Sequence, residues 1–176
     1  MRKLSVLILF ISFSSMASDK GFPCDGAPGS WRTNPDSTPG GYVASTATVG
    51  TEVSTGVDTA VCEYAKVTGA VSLLDRARIS GRATLNGKIQ VSGIAEINGE
   101  AQLINLGNSS SMLIEDNSLV GGNALLNGVV TLSDSSQVYG NAVIHDFVEL
   151  TGTTKVCGQA YLSGSLVLHD DLTYCP

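Results

Sequence analysis

The sequence is poor in aromatic residues, basic residues and histidine. Phe, Trp and Tyr make up 6% of the 176 residues, which is too few for a core built on large rings, so the core must be aliphatic. Ten basic residues face sixteen acidic ones, a net charge of −6, and this balance disfavours nucleic acids and other polyanions as partners. No G-x-S-x-G, H-E-x-x-H or phosphate-binding loop occurs, and no metal or cofactor is expected.

The sequence also lacks an apolar run long enough to span a bilayer, which takes about 20 residues. Its longest run, LSVLILFISF, follows Arg2 and Lys3 and precedes the small residues around Ala17. This three-part pattern is typical of a secretory signal peptide, so residues 1–17 are predicted to be removed on export. The remaining chain, with 8 basic and 16 acidic residues and a net charge of −8, is predicted to be secreted or periplasmic without an integral membrane segment.

A six-residue repeat fills most of the remaining chain. Ten hexads run from Ala47 to Leu106, and ten more run from Met112 to Asp171. The third position of the hexad is aliphatic in nineteen of twenty cases, and the fifth is Gly, Asp or Asn in seventeen of twenty. Because side chains alternate along a strand, the first and third positions point inward together. The fifth position forms a corner, where these residues tolerate a left-handed backbone.

Three hexads close a triangular coil of 18 residues, and successive coils stack at about 4.8 Å through parallel hydrogen bonds. The repeat therefore predicts an all-β protein, a single-stranded parallel β-helix of about seven coils over residues 43–176. Residues 18–42, which include the Pro/Gly-rich stretch "FPCDGAPGSWRTNPDSTPGG", fall outside the repeat and are predicted to form an irregular N-terminal cap, with Trp31 covering the first coil.

The stretches "ISGRATLNGKIQVSGIAEINGEA" and "VYGNAVIHDFVELTG" resemble the V-x-G-x-A-x variant of the hexapeptide-repeat parallel β-helix family. The resemblance covers about residues 43–174 and implies a left-handed solenoid, although crossovers between parallel strands are normally right-handed. A right-handed, filament-forming solenoid of the bactofilin kind is the alternative. Members of the family include acyltransferases, structural proteins and ice-binding proteins, so the resemblance predicts the fold and leaves the function open.

The repeat is interrupted within residues 104–111. Eleven residues separate Ala101 from Met112, where two hexads need twelve, so a tightened corner or a small bulge is expected there. A binding loop is the functional alternative for this polar stretch.

Four cysteines in an exported chain predict two disulfides. Cys157 and Cys175 are one 18-residue coil apart at the same hexad position, which stacks them at disulfide distance. Cys24 and Cys62 remain, and their bond would tie the cap to the second coil. A metal site is disfavoured because no C-x-x-C pair occurs.

Candidate catalytic residues are few. Acyltransferases of the resembled family use a catalytic His on a coil, and here His145 and His169 lie four hexads apart, on different faces. Of the two, His145 is the better but weak candidate, because no long loop accompanies it and acyl-coenzyme A is not expected outside the cytoplasm. Asp116 and Asp134, near Glu115, suggest a calcium site, but Asp at corners is already explained by backbone conformation. No face repeats the Thr-x-Thr pattern of ice-binding proteins.

One surface feature points to a partner. Leu125, Val143 and Tyr161 follow one another at 18-residue spacing on the outward side, with Phe147 at a nearby corner. We call these four residues the apolar column. Contiguous exposed apolar surface can mark a contact with another chain. The sequence thus predicts an exported, non-enzymatic structural, adhesive or binding module at the bacterial envelope or outside the cell. Its partner would be a second copy, a surface protein or a glycan; the alternatives are an acyltransferase-like enzyme and an ice-binding protein.

Overall fold

The hexads fold into three columns of short parallel strands that form a β-solenoid of about seven turns with 18-residue spacing, as predicted. The protein is described by a computed structural model for residues 23–107 and 109–176. The predicted signal peptide and residues 18–22 of the predicted cap lie outside the described residues. Among the described residues, no helix has the length and apolarity that a membrane span requires.

The first column, face 1, stacks one short strand from every coil in parallel. After β1 (Gly29–Thr33), which lies outside the column, its strands are β2 (Pro39–Ala44), β5 (Ala60–Val61), β8 (Arg78–Ile79), β11 (Glu96–Ile97), β14 (Leu119–Val120), β16 (Gln137–Val138), β18 (Lys155–Val156) and β21 (Thr173–Tyr174).

The other two columns belong to one continuous sheet, because β15 (Leu125–Leu132) and β17 (Val143–Leu150) each run through the corner between them. Face 2 comprises the first halves of these two strands with β3 (Thr48–Val49), β6 (Lys66–Thr68), β9 (Thr84–Gly87), β12 (Gln102–Asn105) and β19 (Tyr161–Leu162). Face 3 comprises their second halves with β4 (Ser54–Thr55), β7 (Val71–Leu73), β10 (Ile89–Val91), β13 (Met112–Ile114) and β20 (Ser165–Leu168).

The core consists of the first and third hexad positions, stacked coil upon coil. Leu85, Leu103, Leu126 and Ile144 form one such row, and each is fully buried. Burying a side chain of this size contributes roughly 2 kcal/mol relative to leaving it exposed. The repeat therefore stabilises the solenoid by many equivalent aliphatic contacts rather than by a few large rings.

The corners take the left-handed backbone that the fifth hexad position predicts. Asp75, Asp116, Asp134 and Asp146 have φ between 54° and 69°, and Gly99 has φ 68°. Corners of successive coils also lie directly on each other, since a Cβ added to Gly99 would lie 2.6 Å from the carbonyl oxygen of Gly122. Glycine at this corner is thus required by close stacking as well as by conformation.

The interruption of the repeat is an insertion rather than the tightened corner or small bulge that the sequence suggested. Ile89 pairs with Met112, 23 residues later, whereas Val71 pairs with Ile89, 18 residues later. The coil therefore carries five extra residues, which leave the wall between β12 and β13. Buried Asn105 anchors this excursion, because its Nδ2 donates to the carbonyl oxygens of Lys88 and Ser110, both at 2.9 Å.

The described part of the N-terminal cap begins with a 3-10 turn (Pro23–Gly26) and then forms a hairpin, so the prediction of an irregular segment is wrong for the part that forms the hairpin. Strand β1 pairs antiparallel with β2, and β2 continues face 1 by pairing parallel with β5. The expectation for Trp31 is also wrong: its side chain is 62% exposed and meets the Tyr42 ring edge-on at 5.5 Å. Trp31 lies on the outward side of the hairpin, since the alternation of β1 directs its neighbour Arg32 toward the first coil.

The side chains of Arg32 and Asn34 cap the N-terminal end of the solenoid through hydrogen bonds to the first coil. The guanidinium of Arg32 donates to the carbonyl oxygens of Gly50 (2.7 Å) and Val53 (3.1 Å). The Asn34 amide donates to the carbonyl oxygen of Thr55 and accepts from its N–H, both at 2.9 Å. Thr55 directs its backbone groups toward a preceding coil that the chain does not form here. The side-chain amide replaces that coil, so the cap satisfies backbone groups that would otherwise be orphaned.

We predict that Asn34→Ala lowers the free energy of unfolding by about 2–3 kcal/mol, because it leaves the N–H and C=O of Thr55 buried without partners. Urea denaturation of the oxidised protein measures this loss. The matched control is Asn123→Ala, which removes an exposed amide bonded to Asn141 and should cost less than about 0.5 kcal/mol. Equal losses in the two variants would contradict the capping role of Asn34.

Candidate functional site

Both predicted cysteine pairs are at disulfide distance. The α-carbons of Cys157 and Cys175 are 4.5 Å apart, and those of Cys24 and Cys62 are 5.2 Å apart. The first pair joins the last two coils of the described chain, and the second ties the N-terminal cap to the wall. Cys24, Cys62 and Ala44 form a small buried cluster of their own beside the main core. The pairs thus lie at opposite ends of the solenoid, and both are compatible with an oxidising, extracytoplasmic location.

We predict that reduction under denaturing conditions raises the intact mass by four hydrogen atoms, two for each disulfide. Mass spectrometry before and after reduction gives this difference directly. If the chain takes up alkylating reagent at four sites without prior reduction, the prediction of both disulfides is wrong.

The two histidines lie on different faces, as the spacing predicts. His145 lies in β17 on face 2, opposite Asn127 of the preceding coil, and is half-buried. Its ring centroid is 5.7 Å from that of Tyr161. His169 follows β20 on face 3, is exposed, and has its Nδ1 2.7 Å from the carboxylate of Asp170. The two imidazoles therefore cannot act on one substrate, and each would have to work with other groups.

The corner carboxylates have a structural use that the sequence reasoning did not identify. Asp116 accepts a hydrogen bond from the N–H of Asp134 at 3.1 Å, and Asp134 accepts one from the N–H of Gly152 at 2.9 Å. The same bond joins Asp75 to Gly93 and Asp146 to Gly164. Each aspartate thus binds the corner one coil ahead, and this bonding explains Asp116 and Asp134 without calcium. The signal was Asp recurring at the fifth position, which the sequence reasoning assigned to backbone conformation alone.

The apolar column is contiguous in the structure. Leu125 pairs with Val143, and Val143 pairs with Tyr161, all on face 2. Phe147 lies around the corner on face 3, opposite Val129. Tyr161 is 62% exposed and Phe147 is 53% exposed, whereas Leu125 and Val143 are half-buried by their neighbours. The accessible part of the column is therefore its aromatic end, next to the last coil.

A shallow groove of about 390 Å³ follows the corner beside this column. Asn127, Gly128 and Val129 line it from one coil, and His145, Asp146 and Phe147 line it from the next. Its lining combines an amide, an imidazole and a carboxylate with one exposed aromatic ring. The sequence reasoning singled out His145 and Phe147 separately, but it did not bring them together, because it treated the corner as the end of one face.

The last coil of the described chain is less buried than the coils before it, a difference that the sequence did not predict. Leu162, Leu166 and Leu168 occupy inward positions but are only partly buried, whereas their equivalents one coil earlier, Ile144, Val148 and Leu150, are at most 1% exposed. Leu172 and Tyr174 beyond them are exposed. No hairpin or side-chain cap comparable to the one at residues 29–44 covers this end among the described residues.

Comparison with models of known protein families and with curated proteins gives no match to this chain. Membership of the hexapeptide-repeat family, and with it the left-handed sense of the solenoid, stays a prediction.

Proposed function

We propose that the protein is an exported, non-enzymatic β-solenoid that serves as a rigid structural module at the bacterial envelope or outside the cell. In this proposal its C-terminal coil joins a second copy of the chain. The signal-peptide pattern of residues 1–17 and the two cysteine pairs at disulfide distance support export. The joining role rests on the unequal ends of the solenoid.

The observation that carries the proposal is the half-exposed core at the C-terminal end. Leu162, Leu166 and Leu168 are packed on one side only, so the apolar interior of the prism meets solvent. Exposed apolar surface of this kind marks association sites on soluble proteins. A covering layer would complete the burial that these positions have in the interior coils, whereas Val49 in the first coil is also only partly buried.

The backbone at this end is also unpaired on its outer side. Along the solenoid, N–H groups at alternate positions donate to the next coil, as from Val143 to Ala160 (2.8 Å) and from Phe147 to Gly164 (3.0 Å). By the same alternation, Tyr161, Ser165 and Val167 direct their N–H groups away from the wall. Such an edge is a template for strand addition.

A second copy is the occupant that fits this end. The partner must present three strand edges in a triangle around apolar side chains, and another solenoid end has this shape. The N-terminal end of a copy is closed by the β1–β2 hairpin with Arg32 and Asn34, so head-to-tail stacking is blocked. Two C-terminal ends therefore meet about a two-fold axis, with antiparallel strands across the interface, and the assembly closes as a dimer.

Charge restricts the arrangement of this dimer. Asp170 and Asp171 occupy one corner of the terminal coil. The two-fold axis between the two copies can pass through any one of the three corners of the terminal coil. Only the axis through the Asp170–Asp171 corner places these carboxylates against the same carboxylates of the second copy. The other two choices separate them, and like charges favour that separation.

The alternatives have less support. An acyltransferase-like role would depend on His145, whose ring packs against Tyr161, and no side chain among the described residues orients this imidazole as a base. Ice binding needs a regular threonine plane, but Lys66 lies between Thr48 and Thr84 in the face 2 ladder.

We predict that the oxidised chain is a dimer and that Val167→Pro dissociates it, raising the dissociation constant at least about tenfold. Proline removes an N–H that makes no bond within one copy and adds bulk at the edge. Multi-angle light scattering over a wide concentration range measures the state. The control is Val167→Thr, which changes the side chain and keeps the N–H, so its dimer should remain. Leu172→Lys, which adds a charge to the exposed apolar end, should dissociate the dimer as well.

Two outcomes would contradict this interface. An unmodified chain that stays monomeric throughout the range rules out pairing through the end. If Val143→Asp dissociates the dimer while Val167→Pro and Leu172→Lys leave it intact, the apolar column is the contact instead. Circular dichroism of each variant confirms that the solenoid is still folded.

A further inference from the structure

We propose that the groove lined by Asn127, Val129, His145, Asp146 and Phe147, with Tyr161 at its end, binds a neutral oligosaccharide. This site lies on the side wall of the solenoid, and the proposal is independent of pairing through the C-terminal end. We call it the corner groove.

The backbone holds the corner groove rigidly. Strands β15 and β17 run through the corner without interruption, and their eight residues pair one to one. Asn127 lies opposite His145, and Val129 lies opposite Phe147, so the side chains form two short rows on either side of the corner. Asp146 sits at the apex with φ 69° and bonds to the next coil through the N–H of Gly164 at 3.0 Å. A ligand would therefore meet side chains whose backbone is already ordered, which lowers the entropic cost of binding.

The chemistry of the lining matches a sugar ring. A pyranose carries an apolar face of C–H groups and a rim of hydroxyls. Phe147 and Tyr161 offer exposed aromatic faces, which pack well against such C–H groups. The exposed amide of Asn127 can both donate to and accept from hydroxyls, and the carboxylate of Asp146 keeps an oxygen that the Gly164 bond does not use. A few placed polar groups beside an aromatic surface are the usual composition of a small-ligand site.

Charge selects a neutral ligand. Residues 112–176 contain seven acidic residues and one basic residue, Lys155, which lies on face 1 away from the groove. Asp146 and nearby Glu149 would repel carboxylated or sulfated sugars, because no cation of this region faces them across the groove. An anionic polysaccharide is therefore disfavoured, for the same reason that nucleic acid is.

The openness of the groove favours a sugar over an apolar molecule. The groove is a trough on a convex corner rather than an enclosed cavity, so a bound ligand leaves one side in water. An apolar ligand would gain little from partial burial, whereas a sugar keeps its outer hydroxyls hydrated while its inner face packs on the rings. A chain of sugars could also extend from Phe147 along the column toward Tyr161.

The test titrates the isotopically labelled, oxidised full chain with cellohexaose, maltohexaose and chitotetraose, and with hexagalacturonate as the anionic probe. We expect at least one neutral oligosaccharide to shift the amide resonances of residues 127–129 and 145–147, which line the groove, in a saturable manner. Phe147→Ala should weaken that binding at least about tenfold, since it removes the stacking ring. Asn127→Ala, a second variant at an exposed position, should weaken it about threefold or more.

Tyr139→Ala is the matched control, because Tyr139 is an exposed aromatic residue on face 1, 37% accessible, and outside the groove. The affinity of this variant for the oligosaccharide should stay within about twofold of that of the unmodified chain. The proposal is overturned if no neutral oligosaccharide shifts these resonances, if hexagalacturonate alone does so, or if the shifts map to face 1. Because the resonances report on the side wall, a monomeric chain that binds sugar would reject the dimer and keep the corner groove.

Discussion

The parallel hydrogen bonds between consecutive coils are the interaction on which the rest of this structure depends. Each coil donates N–H groups to the carbonyl oxygens of the next coil, and receives the same from the coil before it. No coil can satisfy its backbone or bury its aliphatic side chains alone, so stability is shared between neighbours along the axis. The two ends are therefore the weak points, because each has only one neighbour.

The sequence predicted the interior well because the interior is periodic. An aliphatic residue at the third position and Gly, Asp or Asn at the fifth determine one strand and one corner, and stacking then determines which cysteines meet. The insertion after Asn105 could not be predicted in the same way. In a six-residue repeat, the loss of one residue and the addition of five residues shift the register of the following hexads equally. The sequence predicted a cap at this end but not how it binds, because Arg32 and Asn34 act through side-chain hydrogen bonds to the first coil, and such contacts do not follow from a repeat.

The candidate site was predicted only in part, because it lies where periodicity carries no information. Outward positions vary freely along the wall, and the sequence could place Leu125, Val143 and Tyr161 in one column by their 18-residue spacing. The corner groove could be identified only from the structure. Asn127 and Val129 belong to different faces in a hexad description, but they become neighbours because β15 runs through the corner. The uninterrupted strand, rather than any single residue, assembles the groove.

The placement of these features along the axis follows from the same dependence on neighbours. At the N-terminal end the side chains of Asn34 and Arg32 replace the missing coil for the backbone groups of Gly50, Val53 and Thr55. At the C-terminal end Cys157 and Cys175 hold the last coil to the one before it, but a disulfide covers neither Leu166 nor the outward N–H groups. This disulfide thus holds the last coil in place but leaves its outer strand edge exposed. Within residues 23–176 the first coil is thus capped by specific hydrogen bonds, whereas the last coil keeps partly buried Leu162, Leu166 and Leu168 and has a disulfide as its covalent link to the wall.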